Sequence, residues 1–532
     1  MKKVKWFSMV LAGILVTATA FSMVGCGEKN SENVINVSVI NKGYSTNWID
    51  TLMTEFLSSD AKYSGYSYKI YNSYDDDTTK GTVESGINTC NYDLVIHSGN
   101  PTLIDDKYLL DISDVYNMSF ENKTLKDYMD ESVVSSFKNG NGYVAIPWVQ
   151  AVGGIVVNYD IVKSALGENW ENTYKNRTSE EFMAFIAALR NNLATGKTPF
   201  VITSKKGKEF YQMLYEPWWA QYEGMEGIKN YYTATYQNGD ETVSDDIHAF
   251  LQKGKLFSLK ETERIFSVAE NYELYSAEDS MQTAFMEGKS AMICNGDWMQ
   301  IEQSKYTDVD MRFIKTPVIS ALGAKLGLSV YTEQNGGGGV DDIRYDISDE
   351  TKFIAAIDYV DALLSGSTDA VKPAYLTDEQ VETIKEARKM VYSNIDYSCV
   401  SIPNYSIKKD VALDFLKWMY SKEGQKNYVS AMSGLTLPVK NSFATDSSVN
   451  MSKFAKSAAK ISNDAVYVFP NRNWKYAKAG LSAFEARREG VIEYLLTGRS
   501  DSEINTAYAV YRYDYRFYDT GTNWEDLKDR AK

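Results

Sequence analysis

Four tryptophans fall at turns rather than on apolar helix faces. Trp48 closes the run Asn41-Lys-Gly-Tyr44-Ser-Thr-Asn-Trp48, between a strand pattern and a helix pattern. Trp148 follows Pro147, Trp298 follows Asn295-Gly-Asp297, and Trp474 ends Pro470-Asn-Arg472-Asn-Trp474. An indole is a flat apolar plate, and so is the C–H face of a pyranose ring. Stacking takes both out of water but satisfies no hydrogen bond, so polar groups must meet the hydroxyls. Asn41, Tyr44, Asp297 and Arg472 stand beside these indoles with suitable donors and acceptors. The chemistry implied is non-covalent capture of a carbohydrate. Taken singly, each tryptophan is as well explained by core packing; four separate turn placements with polar neighbours weaken that account.

Such turns need rigid elements behind them. Val34–Ile40, Tyr92–Ile96 and Gly153–Val157 read as buried strands, and Trp48–Leu57, Thr178–Leu193 and Asp410–Tyr420 as amphipathic helices. Thr178 and Glu181 form a capping-box pattern, with Phe182, Phe185, Ile186, Leu189 and Leu193 on one face. In Asp410–Tyr420, Ala412, Phe415, Leu416 and Met419 face inward, and Trp418 is structural. The alternation predicts α/β layers with largely parallel sheets, whose strand ends are where ligands bind. Residues 326–395 differ and read as an inserted subregion. No Lys-Ser/Thr follows Gly336 to Gly339, so these glycines predict a loop rather than a phosphate cradle. Tyr508, Tyr511, Tyr515 and Tyr518 recur at helical spacing and predict one face packed on a lobe.

Composition narrows the classes. The chain has 532 residues and a net charge of −15, which argues against nucleic acid as a partner. Its two histidines, His97 and His248, lie far apart, so a His-rich metal site and most His-based catalytic dyads lack raw material. Aromatic residues reach 13%, an excess that binding by stacking would explain. Lys2, Lys3 and Lys5 precede an apolar run from Trp6 to Val24, which ends in Met23-Val24-Gly25-Cys26. This pattern reads as an export signal, 1–25, with a lipid-accepting Cys26 and a polar tether through residue 33. The alternative is an uncleaved membrane anchor; both place the bulk of the chain outside the cytoplasm. Cys90, Cys294 and Cys399 are odd in number and sit in apolar contexts, so buried free thiols are expected.

Phe285-Met-Glu-Gly-Lys-Ser-Ala-Met-Ile-Cys-Asn-Gly-Asp-Trp298 resembles the F-x-x-G-x-A-A-M-x-x-x-G-x-W signature of family 1 extracellular solute-binding proteins, the maltose-binding-protein-like receptors of ABC importers. Tyr143-Val-Ala-Ile-Pro147-Trp148 with Val156-Val-Asn-Tyr-Asp160 resembles a family chain crossing, with Asn158-Tyr159 inverted. Ile402-Pro-Asn-Tyr-Ser, Ala412-Leu-Asp-Phe-Leu416, Ser421-Lys-Glu-Gly-Gln425 and Leu437-Pro438-Val439 follow in the family's order. The resemblance implies a two-lobed periplasmic-binding-protein-like fold with crossing strands and an interlobe cleft. It places the first lobe at 34–147 and 317–437 and the second at 153–315 and 440–532. It maps the signature aromatic to Trp298 and a second-lobe aromatic to Trp474. The ligand loops fall at Asn41–Trp48 and at Ser98-Gly-Asn100. Asp75-Asp76-Asp77 reads as a solvated charge run. No residue set specifies a cofactor or a metal.

The resemblance also implies a cycle without a covalent step. A sugar stacks in the open cleft, closure follows, and a permease of the membrane receives the cargo from a lipid-anchored monomer. A surface glycoside hydrolase, with a carboxylate pair among the 71 acids, stays open on sequence alone, as does the same fold with a polyamine or peptide as cargo.

Overall fold

The computed structural model describes residues 33–41, 43–73, 75–86, 90–97, 104–202, 208–268, 278–395, 398–440, 443, 449–481 and 507–532. The leader, Cys26, Ser98 and Asn100 lie outside the described residues.

Two mixed sheets organise the chain. The first runs, in spatial order, Ser67–Ser73, Val34–Ile40, Leu94–His97, Cys399–Ser401 and Ile146–Pro147. The second orders Thr198–Val201, Ser290–Gly296, Val152–Asn158, Met390–Ser393 and Val466–Val468, with Met311–Phe313 also paired to Val152–Asn158. Val34–Ile40 pairs in parallel with Ser67–Ser73 and Leu94–His97, whereas Ser290–Gly296 pairs antiparallel with Val152–Asn158. Every residue of Val152–Asn158 and of Ser290–Gly296 is buried, as expected of strands covered on both faces.

The helices follow their apolar periodicity. Helix Ser179–Asn192 buries Phe182, Phe185, Ile186 and Leu189, and Thr178 Oγ1 accepts from Glu181 N at 3.2 Å. The reciprocal arm of that cap goes elsewhere, because the Glu181 carboxylate accepts from Arg177 N at 2.8 Å and from its guanidinium. Helix Lys409–Met419 buries Ala412, Phe415, Leu416 and Met419. Asp75 caps helix Asp76–Glu84 by accepting from Thr78 N at 2.7 Å, so part of the acidic run has a local structural role. Tyr508, Tyr511 and Tyr518 are buried in the second-lobe core, beside a buried ion pair of Lys255 and Asp514 at 2.7 Å. Gly336 to Gly339 form the turn between the exposed strand Val330–Asn335 and its antiparallel partner Ile343–Asp349. Cys90, Cys294 and Cys399 are buried free thiols.

Sheet membership corrects one expected boundary. The chain does not return to the first lobe at 317. Pro317 stays inside the second, where its carbonyl accepts from Trp218 Nε1 at 2.9 Å. Val318, Leu322, Phe353, Ile357 and Ile384 then share a core with Phe182 and Trp218, and Met390–Ser393 pairs with Val152–Asn158. The subregion at 326–395 is therefore part of the second lobe. The return falls between Ile395 and Ser398, ahead of Cys399–Ser401.

Among the described residues three segments connect the lobes, and they bond to one another. Trp148 N donates to Ser398 O at 2.9 Å, Asn394 N to Ala151 O at 2.9 Å, and Gln150 N to Thr436 O at 3.3 Å.

Candidate functional site

The turn after strand Val34–Ile40 is shaped by three residues. Asn41 Oδ1 accepts from Ser45 N at 3.2 Å, while Gly43 and Ser45 adopt φ of +84° and +57°. This folds the chain back so that Tyr44 points inward and helix Asn47–Ser59 begins with Trp48 in its first turn. Strand Ser290–Gly296 of the second lobe ends on Asp297 and Trp298, facing this turn.

The two strand ends touch. Tyr44 Oη donates to Asp297 Oδ1 at 2.6 Å, and Val152 N donates to Asp297 Oδ2 at 3.3 Å. The Trp298 ring meets Tyr44 edge-on with centroids 6.1 Å apart. Gly43 passes so close that a Cβ there would lie 2.8 Å from Glu302 Oε1 and 3.1 Å from Trp298 Cδ1. The position therefore needs glycine both for space and for its positive φ.

Trp148, in the first connecting segment, stacks on Trp48 at 5.0 Å with planes 13° apart, and meets Tyr44 edge-on at 5.2 Å. Tyr428 packs its edge on Trp48 at 5.7 Å and donates from Oη to Trp148 O. Phe210 meets Trp298 at 5.9 Å. The result is one continuous series of rings, from Tyr428 through Trp48, Trp148 and Tyr44 to Trp298 and Phe210, crossing from one lobe to the other.

Polar atoms within and beside this series are under-satisfied. Trp48 Nε1, Trp148 Nε1 and Asn295 Nδ2 are buried and have no hydrogen-bond partner among the described residues. A buried donor without an acceptor costs roughly 1–3 kcal/mol, which an oxygen-rich ligand can relieve. Asp297 is 2% exposed. Burial pushes its carboxyl up to about 7, against the opposing hydrogen bonds from Tyr44 and from Val152 N. The Tyr44 hydroxyl is held well above its usual range by burial and by the Asp297 charge.

The structure brings together Tyr44, Trp48, Trp148, Asp297 and Trp298. Asn41 is exposed and spends its carbonyl on the turn. Trp474 and Arg472 do not join the ring series. Trp474 stacks on Tyr232 at 5.8 Å, on the second-lobe core. Its loop fastens instead to the first lobe at the end of helix Glu131–Ser136. Asn471 Nδ2 donates to Ser135 Oγ at 2.9 Å, Asn473 Nδ2 to Ser135 O and Lys138 O at 2.8 Å each, and Arg472 Nε to Ser136 O. Amide and guanidinium donors here satisfy carbonyls that a helix end leaves unpaired. Sequence reasoning missed Phe210 and Tyr428. Tyr428 reads as one more apolar position of helix Lys422–Ala431, while Asn295, read as a polar neighbour in the turn before Trp298, lies inside the buried strand.

A family model for bacterial extracellular solute-binding proteins matches residues 60–460. The chain belongs to that family. Solved solute-binding proteins share its fold. A probable secreted solute-binding lipoprotein from Streptomyces coelicolor is 12% identical, with a TM-score of 0.56 over 93% of this chain and 100% of its own. The cyclic alpha-maltosyl-1,6-maltose binding protein of Arthrobacter globiformis is 14% identical, with a TM-score of 0.54 over 93% and 99%. The GacH receptor of Streptomyces glaucescens, solved without ligand and with acarbose, is 13% identical, with a TM-score of 0.51 over 94% and 100%. No curated protein matches the chain. Among the described residues of this solute-binding protein, no helix is long and apolar enough to cross a membrane, and no group of three or more His, Cys, Asp or Glu is placed to hold a metal.

Proposed function

We propose that this solute-binding protein captures a carbohydrate, most naturally an oligosaccharide, between its lobes and delivers it to the permease of an ABC importer, tethered to the outer face of the cell membrane by a lipid on Cys26. The observation that carries this reading is the ring series across the lobe boundary, with its unpartnered indole and amide N–H groups. Trp48 and Trp148 cover one another in this arrangement, so parting of the lobes would bare an indole for the C–H face of a sugar, whose oxygens the orphan donors then take. Trp298 and Tyr44 come from different lobes, so a ligand touching both favours the closed state by its differential affinity for it, and the cycle has no covalent step. Structural neighbours whose own ligands are a cyclic maltosyl-maltose, chitin oligosaccharide and acarbose point the same way.

A polyamine reading draws on Asp297, a buried acid among rings. Both its oxygens are already engaged by Tyr44 and Val152 N, which leaves a cation little to bind. Calorimetry with a panel of oligosaccharides, spermidine and short peptides tests the reading. The expected result is micromolar binding of one sugar series, about −8 kcal/mol. Binding of amines alone would overturn it, and steady release of reducing ends would replace it with hydrolysis.

A further inference from the structure

On the second lobe, away from the ring series, lies a cavity of about 540 Å³, a volume suited to a small ligand. It opens between the segment 170–176, the strand end at Phe313 to Lys315, the C-terminal ends of helices Thr351–Leu364 and Asp378–Lys389, and helix Lys453–Ser462. Its wall carries five cations, Lys175, Lys315, Arg388, Lys389 and Lys460, against three acids, Glu171, Asp361 and Asp464. In a chain of net charge −15, a cationic recess runs against the average.

The three acids do not neutralise the recess. Asp361 is shared, accepting from Lys315 Nζ at 2.9 Å and from Arg388 Nη2 at 2.9 Å. Asp464 faces Lys440 at 3.8 Å, outside the cavity lining, and Glu171 accepts from Tyr159 Oη at 3.0 Å. Lys175, Lys389 and Lys460 have no carboxylate partner among the described residues. Burial, with the Arg388 guanidinium beside it, pushes the Lys315 ammonium down to about 8, as expected where positive charge is in excess.

Trp170 Nε1 and Asn176 Oδ1 are buried without partners among the described residues; of the two only the indole is a donor able to meet an anion. Asn176 is 5% exposed and adopts φ of +51°, a conformation that costs free energy and persists only where its surroundings impose it. Arg388, also 5% exposed, gives the recess a buried charged floor whose Nη1 donates to Thr316 O at 3.2 Å.

We infer that this cavity is a second binding site, for a small oxyanion, sulfate-, phosphate- or carboxylate-bearing, held by Lys315 and Lys460 with Arg388 beneath. Lys460 supplies an exposed ammonium donor and Lys315 one that it shares with Asp361, and the apolar wall of Tyr174, Leu364 and Ile461 keeps part of the site out of water.

The test is titration of the intact chain with sulfate by calorimetry at low ionic strength and pH 8. Saturable one-to-one binding is expected, weakened at least tenfold by Lys315→Met/Lys460→Met and left unchanged by Trp298→Ala. Binding is also expected to take up protons, because an anion raises the Lys315 pKa, and Lys315→Met removes that uptake. Malonate in a parallel arm distinguishes carboxylate from sulfate recognition; either one binding at this site upholds the inference. Lys460 is exposed, so Lys460→Met folds normally and keeps the test decisive should the double variant misfold. Absence of saturable binding by both probes, or binding unaffected in a folded Lys460→Met and Lys315→Met pair, would overturn it.

Discussion

The two lobes meet in two ways, and the difference is instructive. At Tyr44 and Asp297 the contact is aromatic and buried, and it leaves indole and amide donors without acceptors. At Asn471 to Asn473 it is polar, and its side-chain donors all find acceptors in the Ser135 hydroxyl and the backbone carbonyls of 135–138, with the Ser136 hydroxyl left over. A contact whose donors lack acceptors gains from an oxygen-bearing third party; one whose crossing donors are already paired does not. The first therefore suits a ligand-dependent closure, and the second a latch that holds without ligand.

The largest effect should come from removing the ring that both lobes share. Trp298→Ala deletes a buried indole, a change worth about 3–5 kcal/mol. Calorimetry should find sugar affinity reduced by more than about a hundredfold. An unchanged affinity would move ligand capture away from the aromatic contact altogether.

Next in size is the pH response of Asp297. Its folded-state pKa is raised to about 7, so the folded protein holds a proton that the unfolded chain has already released. The associated stability is present below about pH 4 and is lost as pH rises towards 7, in total on the order of 4 kcal/mol. Asp297→Asn keeps an acceptor for Tyr44 and removes the ionisation. Thermal unfolding across pH 4–8 should show a shallower decline in the variant than in the parent; equal slopes would show that another group carries the dependence. The latch gives a smaller effect. Asn471→Ala with Asn473→Ala removes four hydrogen bonds to the first lobe, three of them sharing the two N–H groups of Asn473, at about 1 kcal/mol per donor N–H. Small-angle scattering of the ligand-free variant should report a larger radius of gyration, while the ligand-bound form should match the parent.

Much of this architecture was legible in the residues, and the failures are physical. Strand and helix periodicity is local, so Val34–Ile40, Ser179–Asn192 and Lys409–Met419 followed from pattern alone. Sheet membership is not local. The apolar run at Met390–Ser393 is as compatible with one sheet as with the other, and only its pairing with Val152–Asn158 decides between them. Likewise, the turn position of Trp474 marked an aromatic outside a helix, but not the Tyr232 ring it covers. The partners of Asn471 and Asn473 are mostly main-chain carbonyls, which have no residue signature. The turn positions of Trp148 and Trp298 were legible because each follows a strand end within two residues, where topology rather than long-range pairing sets position, whereas Trp48 stands in the first turn of the next helix.

The smallest of these effects bears most directly on how closely the aromatic contact must fit. Gly43 sits at φ +84°, and an added Cβ would press on Glu302 Oε1 and Trp298 Cδ1. The conformational part of a Gly43→Ala change costs about 1 kcal/mol. The steric part is relieved if Glu302 swings away or if the lobes part slightly, and the two reliefs differ in outcome. Movement of Glu302 alone breaks its bond from Gln282 Nε2, 2.8 Å in the structure, and leaves closure intact. Parting of the lobes lengthens the Tyr44–Asp297 bond and lowers sugar affinity severalfold. Measuring affinity and unfolding temperature together separates them: a loss in both places the tolerance of this contact below a methyl group, and a loss in stability alone shows that closure has slack to spare.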